Sequence, residues 1–398
     1  MNRNVKLLYG FAFFDPFMIV IPVWVPYLAT QGIGMRQFME LQAVFAIVIL
    51  CGEVPSGLLS DLWGRKKTLL LGSTLKAVSF SLLPLWSSYE GFLVYHLTMG
   101  IALSMISGGD VALLYDSHLA AGGERSRGTA LLGNMKLAGQ TGAAVSALLG
   151  GAIVTLSYGY LLRTNAILSW IPMLLLFGVA EPVAAAQPGK KRAKYFREVL
   201  STALVTDDTT RLMLLNLVAS GAAGLVMVWT HQKYWQDSGM PLAYFGVLFA
   251  SYNLIFGFAG RSAALASARY GRRSVLAAIG VLPIVACFGM ASFFGWGGVL
   301  LGAVGQIGRG LASVVFLNAL NERISSAFRA TVISMAQLGT RASFALLGPL
   351  VGYGIDRWGL PSVLSALGIL FLVVVVFLLL PLIMRETPLS PAEAPTAS

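Results

Sequence analysis

Apolar runs of about twenty residues recur from one end of this 398-residue chain to the other. A helix of that length rises ~30 Å, the thickness of a bilayer's hydrocarbon core. Lipid offers no partner to a backbone N–H or C=O, so each run must satisfy its backbone internally, as a helix. Composition agrees where it bears on the point. Hydrophobic residues make up 57% of the chain and charged residues 11%, too few polar side chains to cover a soluble protein of this size. The runs place twelve spans at 5–28, 38–60, 68–88, 92–117, 128–156, 160–182, 208–232, 241–264, 273–294, 296–320, 329–353 and 361–384.

A formal net charge of +11 invites a nucleic-acid reading until the basic residues are placed. With the N-terminus inside, the inside segments and the span ends adjoining them carry 19 of the 28, among them Arg65-Lys66-Lys67, Arg125, Arg127, Lys190 to Arg197 and Arg269 to Arg273. The outside loops carry four (Arg36, Arg163, Lys233 and Arg357), and five lie within spans. This is the positive-inside asymmetry, and it places both termini in the cytoplasm of a bacterial inner membrane. The basic excess therefore reflects topology, and no nucleic-acid partner is expected. Cys51 and Cys287 both fall inside spans and read as packing residues, so a disulfide framework is excluded. Span 1 has a true span's length and no small-residue cleavage site, so it reads as retained.

Residues 183–207 interrupt the apolar pattern long enough to be a linker, with Lys190 to Leu204 suited to an amphipathic helix on the inner leaflet. The chain then reads as a six-span bundle (1–182), the linker, a second six-span bundle (208–384) and a disordered Pro/Ala/Ser-rich tail (385–398). The halves match at a shift of 202 residues: Gly100 with Gly302, Gly108 with Gly310, Asp116 with Asn318, Arg127-Gly128-Thr129 with Arg329-Ala330-Thr331, and Gly150 with Gly352. A shift of 207 brings residues 63–67 (WGRKK) onto 270–274 (YGRRS). Parallel six-span repeats point to a carrier with its site between two halves.

The loop after span 2 runs from Gly57 through Asp61 and Gly64 to Arg65-Lys66-Lys67. It resembles the major facilitator superfamily motif G-x-x-x-D-x-x-G-R-[KR]-[KR] at every defining position. Gly57 permits a close helix crossing, Asp61 can cap or pair near a helix N-terminus, and Gly64 makes the turn. The second copy keeps Gly271, Arg272 and Arg273 but has Ala268 where Asp61 stands in the first. The resemblance implies an all-α membrane fold of twelve transmembrane helices in two pseudo-symmetric six-helix bundles. It also implies that Asp116, at the end of span 4, pairs with Arg65 at the inner gate; otherwise Asp116 is an exposed helix-end carboxylate.

Span 1, with Asp15, Pro22 and Pro26, looks like the drug:proton antiporter branch. Other features depart from it. His96 precedes Gly100 where many exporters carry an arginine. Gly139, Gly142, Gly150 and Gly151 in span 5 lack the branch's proline, and a Gly348-Pro349-Leu-Val-Gly352 version stands in span 11 instead.

Intramembrane ionisable residues are costly and point to function or to a buried partner. Asp15 falls near mid-membrane, and Glu53, Lys76, Asp110 and Lys136 share a layer roughly 10–12 Å from the inner side by helical rise. Arg309 and Arg341 lie near the midplane. By resemblance, spans 1, 4, 7 and 10 line the cavity, so Asp15, Asp110 and Arg309 face it, with Lys136 and Arg341 nearby. Asp15 reads as a proton carrier or as a buried acid tied to a cation such as Lys136 or Arg341. Asp110 is the second carrier, or a partner of Lys136. Lys76 reads as a structural partner for Glu53 or Asp110, and Glu53 as a packing residue near the gate.

Arginine's planar fork suits a carboxylate or phosphate, so Arg309 and Arg341 favour an anionic or zwitterionic substrate unless carbonyls or acids occupy them. Trp24, Trp229, His231, Tyr252 and Asn253 could stack on or hydrogen-bond a substrate, or serve as interface anchors and packing.

The chain has three histidines and no His-Glu-x-x-His, Cys-x-x-Cys or Gly-Lys-Ser/Thr motif, so an enzyme or an ATP-driven pump is not expected. The reading is a monomeric proton-coupled carrier of a small amphipathic organic molecule, with lipid and substrate as partners and no cofactor beyond the proton gradient. Export by antiport comes first, import of an organic anion by symport second, and a non-transporting sensor on the same fold third.

Overall fold

The computed structural model describes residues 3–124, 127–181, 207–324 and 326–385. Among them the regular elements are helices and no strand occurs. The expected linker, apart from Asp207, and the expected tail, apart from Arg385, lie outside these residues.

The first half is built from α1 (Arg3–Phe14), α2 (Trp24–Thr30), α3 (Met35–Trp63), α4 (Arg65–Leu82), α5 (Tyr89–Ile106), α6 (Gly109–Ala120), α7 (Gly128–Ile153), α8 (Tyr158–Leu168) and α9 (Ile171–Phe177). The second half is built from α10 (Asp208–Asp237), α11 (Leu242–Tyr270), α12 (Arg272–Ser292), α13 (Trp296–Arg323), α14 (Ser326–Trp358), α15 (Leu360–Val374) and α16 (Leu380–Arg385). Nine segments among the described residues are long and apolar enough to cross a membrane. The α1–α2 pair, α7 and α14 stand where the other three expected spans fall. Several helices run past their expected spans; α14 covers Ser326–Trp358 against an expected 329–353.

Two expected spans are broken. Span 1 stops at Phe14, turns through 15–20, and resumes as one 3₁₀ turn (Ile21–Val23) followed by α2. Pro16 supplies no N–H and pushes Asp15 away from helical geometry, while Pro22 is the second residue of the 3₁₀ turn, where a missing donor costs nothing. Span 4 breaks at Ser107-Gly108, where Gly108 is left-handed (φ 76°) and restarts the helix as α6.

The internal repeat is visible in the backbone. Gly64, before α4, has φ 98° and ψ 151°. Gly271, before α12, has φ 81° and ψ 149°. Only glycine enters that region without strain, which is why both copies of the loop keep it.

By packing, the chain falls into two units. One gathers Met1–Gly189, Leu225–Asn253 and Arg341–Leu360; the other gathers Lys190–Gly224, Leu254–Thr340 and Pro361–Ser398. In the first, a core of Val5, Leu8, Phe11, Leu113, Leu114 and Leu176 joins α1, α6 and α9. In the second, Met213, Leu276, Phe316, Val332 and Leu379 join α10, α12, α13 and α14 to the last span.

Candidate functional site

Both helix breaks carry a carboxylate. Asp15 sits where α1 ends, and Asp110 sits in the first turn of α6. Lys76, from the middle of α4 and 2% exposed, donates to Asp15 Oδ1 at 2.8 Å and also to the Asp15 backbone carbonyl. A helix break strands backbone carbonyls that lipid cannot satisfy, and this ammonium meets one of them. Asp15 is therefore tied to Lys76, not to Lys136 or Arg341, and Lys76 partners neither Glu53 nor Asp110. Asp110 stands on α6, which packs against both α1 and α4. Among the described residues it has no ion pair of its own, so one ammonium stands against two carboxylates.

Glu53 of α3 is more than packing: its Oε1 lies 4.0 Å from Arg341 Nε of α14, both half-buried. In the second unit, Arg309 of α13 donates to Gln306 Oε1 at 3.1 Å and lies over the Phe256 ring at 4.8 Å from its centroid. Gly224 leaves the slot that the guanidinium fills, since a Cβ there would stand 2.5 Å from Arg309 Nε. No carboxylate pairs with Arg309 among the described residues. Its partners are a neutral amide and an aromatic face, which leave most of the donor fork free for an anion.

At the loop motif, Gly57 and Asp61 lie in the last turns of α3. Arg65 donates to Asp116 and, at 3.0 Å, to the carbonyl of Ala112, joining α4 to α6. Glu181 accepts from the Lys66 N–H with its two oxygens at 3.3 and 3.1 Å, capping α4, and Lys66 Nζ reaches the carbonyl of Phe177. The Arg65–Asp116 pair lies within the first half.

The remaining candidates divide. Lys136 is exposed on α7, and no ion pair to Asp15 or Asp110 forms. Trp24 is buried in a cluster with Tyr27, Phe92, Tyr95 and His96. His96 is likewise enclosed, bonded to Gln42 and to the carbonyl of Phe92. Trp229 packs edge-on against Phe38. Tyr252 is buried against His231 and Trp235, while the Asn253 amide turns back on the carbonyl of Phe249. Nothing in the sequence pointed to the Glu53–Arg341 pair, or to Gly224 and Phe256 beside Arg309. Asp15-Pro16 and Gly108-Gly109 were the available signals for the two breaks.

Residues 7–230 match the family model described as Major Facilitator Superfamily. Among solved structures, the nucleoside transporter NupG superposes with a TM-score of 0.80 at 15% identity, covering 97% of this chain and 100% of that one. A POT family transporter in complex with 5-aminolevulinic acid superposes with a TM-score of 0.72 at 15% identity, covering 97% of each chain. A bacterial homolog of the human lysosomal transporter Spinster, inward-facing and unoccupied, gives 0.72 at 15% identity, covering 97% of this chain and 98% of that one. Identities this low show the fold alone. No curated protein matches the sequence.

Proposed function

The chain belongs to the major facilitator superfamily, and we propose that it is a proton-coupled carrier of a small anionic or zwitterionic amphipathic molecule, working by alternating access. As a secondary transporter of that type it is not an enzyme. The observation that carries the proton coupling is the surplus acid at the two helix breaks. Lys76 pairs with Asp15, which leaves Asp110, in the first turn of α6, as an intramembrane carboxylate with no ion pair of its own among the described residues. Asp110 is thus the leading proton site and Asp15 its held neighbour. Arg309, in its slot beside Gly224, supports an anionic group on the substrate.

Export by antiport, as in the drug:proton antiporter branch that span 1 resembles, is the first reading. The Glu53–Arg341 pair favours a second. An anion that took Arg341 from Glu53 would leave that acid without its cation, and a proton would then follow the anion. Favourable linkage of this kind is the sign of symport. The basic-residue asymmetry supports a bacterial cytoplasmic membrane with both termini inside, and the carrier is read as a monomer without cofactor.

A thermal-shift screen across charged metabolites and antibiotics identifies a ligand. Its addition to inverted vesicles under an imposed pH gradient then shows whether protons move with or against it. Substrate-driven proton movement that persists in Asp110→Asn would sink the assignment of the proton site.

A further inference from the structure

The first turn of a helix presents N–H groups that the helix itself cannot satisfy. α3 begins after Gly34, an N-cap with no side chain to offer. Its free donors are met from the far end of the chain. The Met35 N–H donates to Asp356 Oδ1 at 3.0 Å and the Arg36 N–H donates to Asp356 Oδ2 at 2.8 Å. Asp356 lies in the last turn of α14, and its negative charge also suits the positive end of the α3 dipole. The fit is close. A Cβ on Gly34 would stand 2.9 Å from Asp356 Oδ2, and one turn back on α14 Gly352 runs against the Met35 carbonyl.

A second clamp of the same kind comes from α10. Gln232 is fully buried; its Oε1 accepts from the Val25 N–H at 3.0 Å and its Nε2 donates to the Ile21 carbonyl at 2.9 Å. The Val25 N–H stands in the first turn of α2, which the break in span 1 creates, and the Ile21 carbonyl takes the amide beside the bond it accepts from the Trp24 N–H. Both clamps therefore join a second-half side chain to first-half backbone, at the ends that the basic-residue asymmetry assigns to the outside. Both lie within the first unit.

We propose that Asp356 is the outer latch of the transport cycle, a positioning residue that holds the outward path shut by capping α3 from α14. This rests on the alternating-access reading. A serine or aspartate at position 34 would cap α3 whatever α14 did. Glycine there makes the cap conditional on α14, so its departure costs α3 two hydrogen bonds that water replaces once the path is open.

The test places a single cysteine at Val228, one turn from Gln232 on the same helix face, in a background with Cys51 and Cys287 replaced by alanine. A membrane-impermeant maleimide is applied outside intact cells and, separately, to inverted vesicles. Asp356→Ala, and independently Gly34→Ala, which displaces the carboxylate without removing it, should raise the outside-to-inside labelling ratio by roughly 5- to 30-fold. Adding Gly34→Ser to Asp356→Ala should restore thermal stability but leave the ratio raised. The latch is overturned if Gly34→Ser also returns the ratio to that of the parent, since Asp356 is then only a helix cap. It is equally overturned if neither variant moves the ratio while the cysteine still labels from both sides. Labelling from one side alone in every variant would overturn alternating access, and the latch with it.

Discussion

Replacing Lys76 with methionine leaves Asp15 as a buried carboxylate without its cation. At 2.8 Å, and with an effective dielectric of about 20, the pair attracts by roughly 6 kcal/mol. Withdrawing both ions from water costs several kcal/mol each, so the intact pair contributes little net stability. Removing one member is different, because the other stays buried and uncompensated at a cost of about 3–5 kcal/mol. Lys76→Met and Asp15→Asn should each lose about that much. The double variant should lose only about 1–2 kcal/mol, the worth of the hydrogen bond to the Asp15 carbonyl. Equilibrium unfolding of the purified protein in mixed micelles measures the cycle. A coupling energy below about 0.5 kcal/mol would show that the two sites act independently and refute the pairing. The double variant should also keep substrate-driven proton movement, whereas Asp110→Asn should abolish it.

Gly224→Ala drives a Cβ into the Arg309 slot and should weaken an anionic ligand by roughly tenfold or more while sparing a neutral analogue, as read by calorimetry. Glu53→Gln releases Arg341, so proton uptake on anion binding, followed with a pH dye, should disappear if symport is the operating mode. Asp207 caps α10: hydrogen bonds from the Thr210 hydroxyl and the Thr209 and Thr210 N–H groups hold its carboxyl below the ordinary carboxylate range. Its contribution is fully present above the ordinary aspartate value of about 3.9 and is lost as pH falls through the lower folded value. Asp207→Ala should accordingly cost about 0.5–2 kcal/mol at neutral pH and progressively less as pH falls below the ordinary aspartate value, by unfolding curves across that range.

Helical rise alone assigns Glu53, Lys76, Asp110 and Lys136 to one depth. It does not assign their partners. Depth follows from position along one helix, whereas pairing depends on which face each helix turns towards which neighbour. A pattern that is apolar on nearly every face gives little clue to that. Lys76 was accordingly assigned to Glu53 or Asp110, and it reaches Asp15 because α4 packs where the span-1 break leaves a carbonyl exposed. The break itself was half legible. Asp15-Pro16 announces it, but a long apolar run argues for continuity until a neighbour is found to satisfy the stranded backbone.

What the sequence determined by itself is what lipid and local backbone chemistry dictate residue by residue. It set the helical spans, the repeated turn at Gly64 and Gly271, and the family motif from Gly57 to Lys67. What only the tertiary structure decided are the contacts between segments far apart in the chain: Lys76 on Asp15, Arg341 on Glu53, Arg309 in the space left by Gly224, and Asp356 capping a helix that begins 321 residues earlier. Composition sets the cost of a charge in the membrane. The packing of one helix on another decides what meets it.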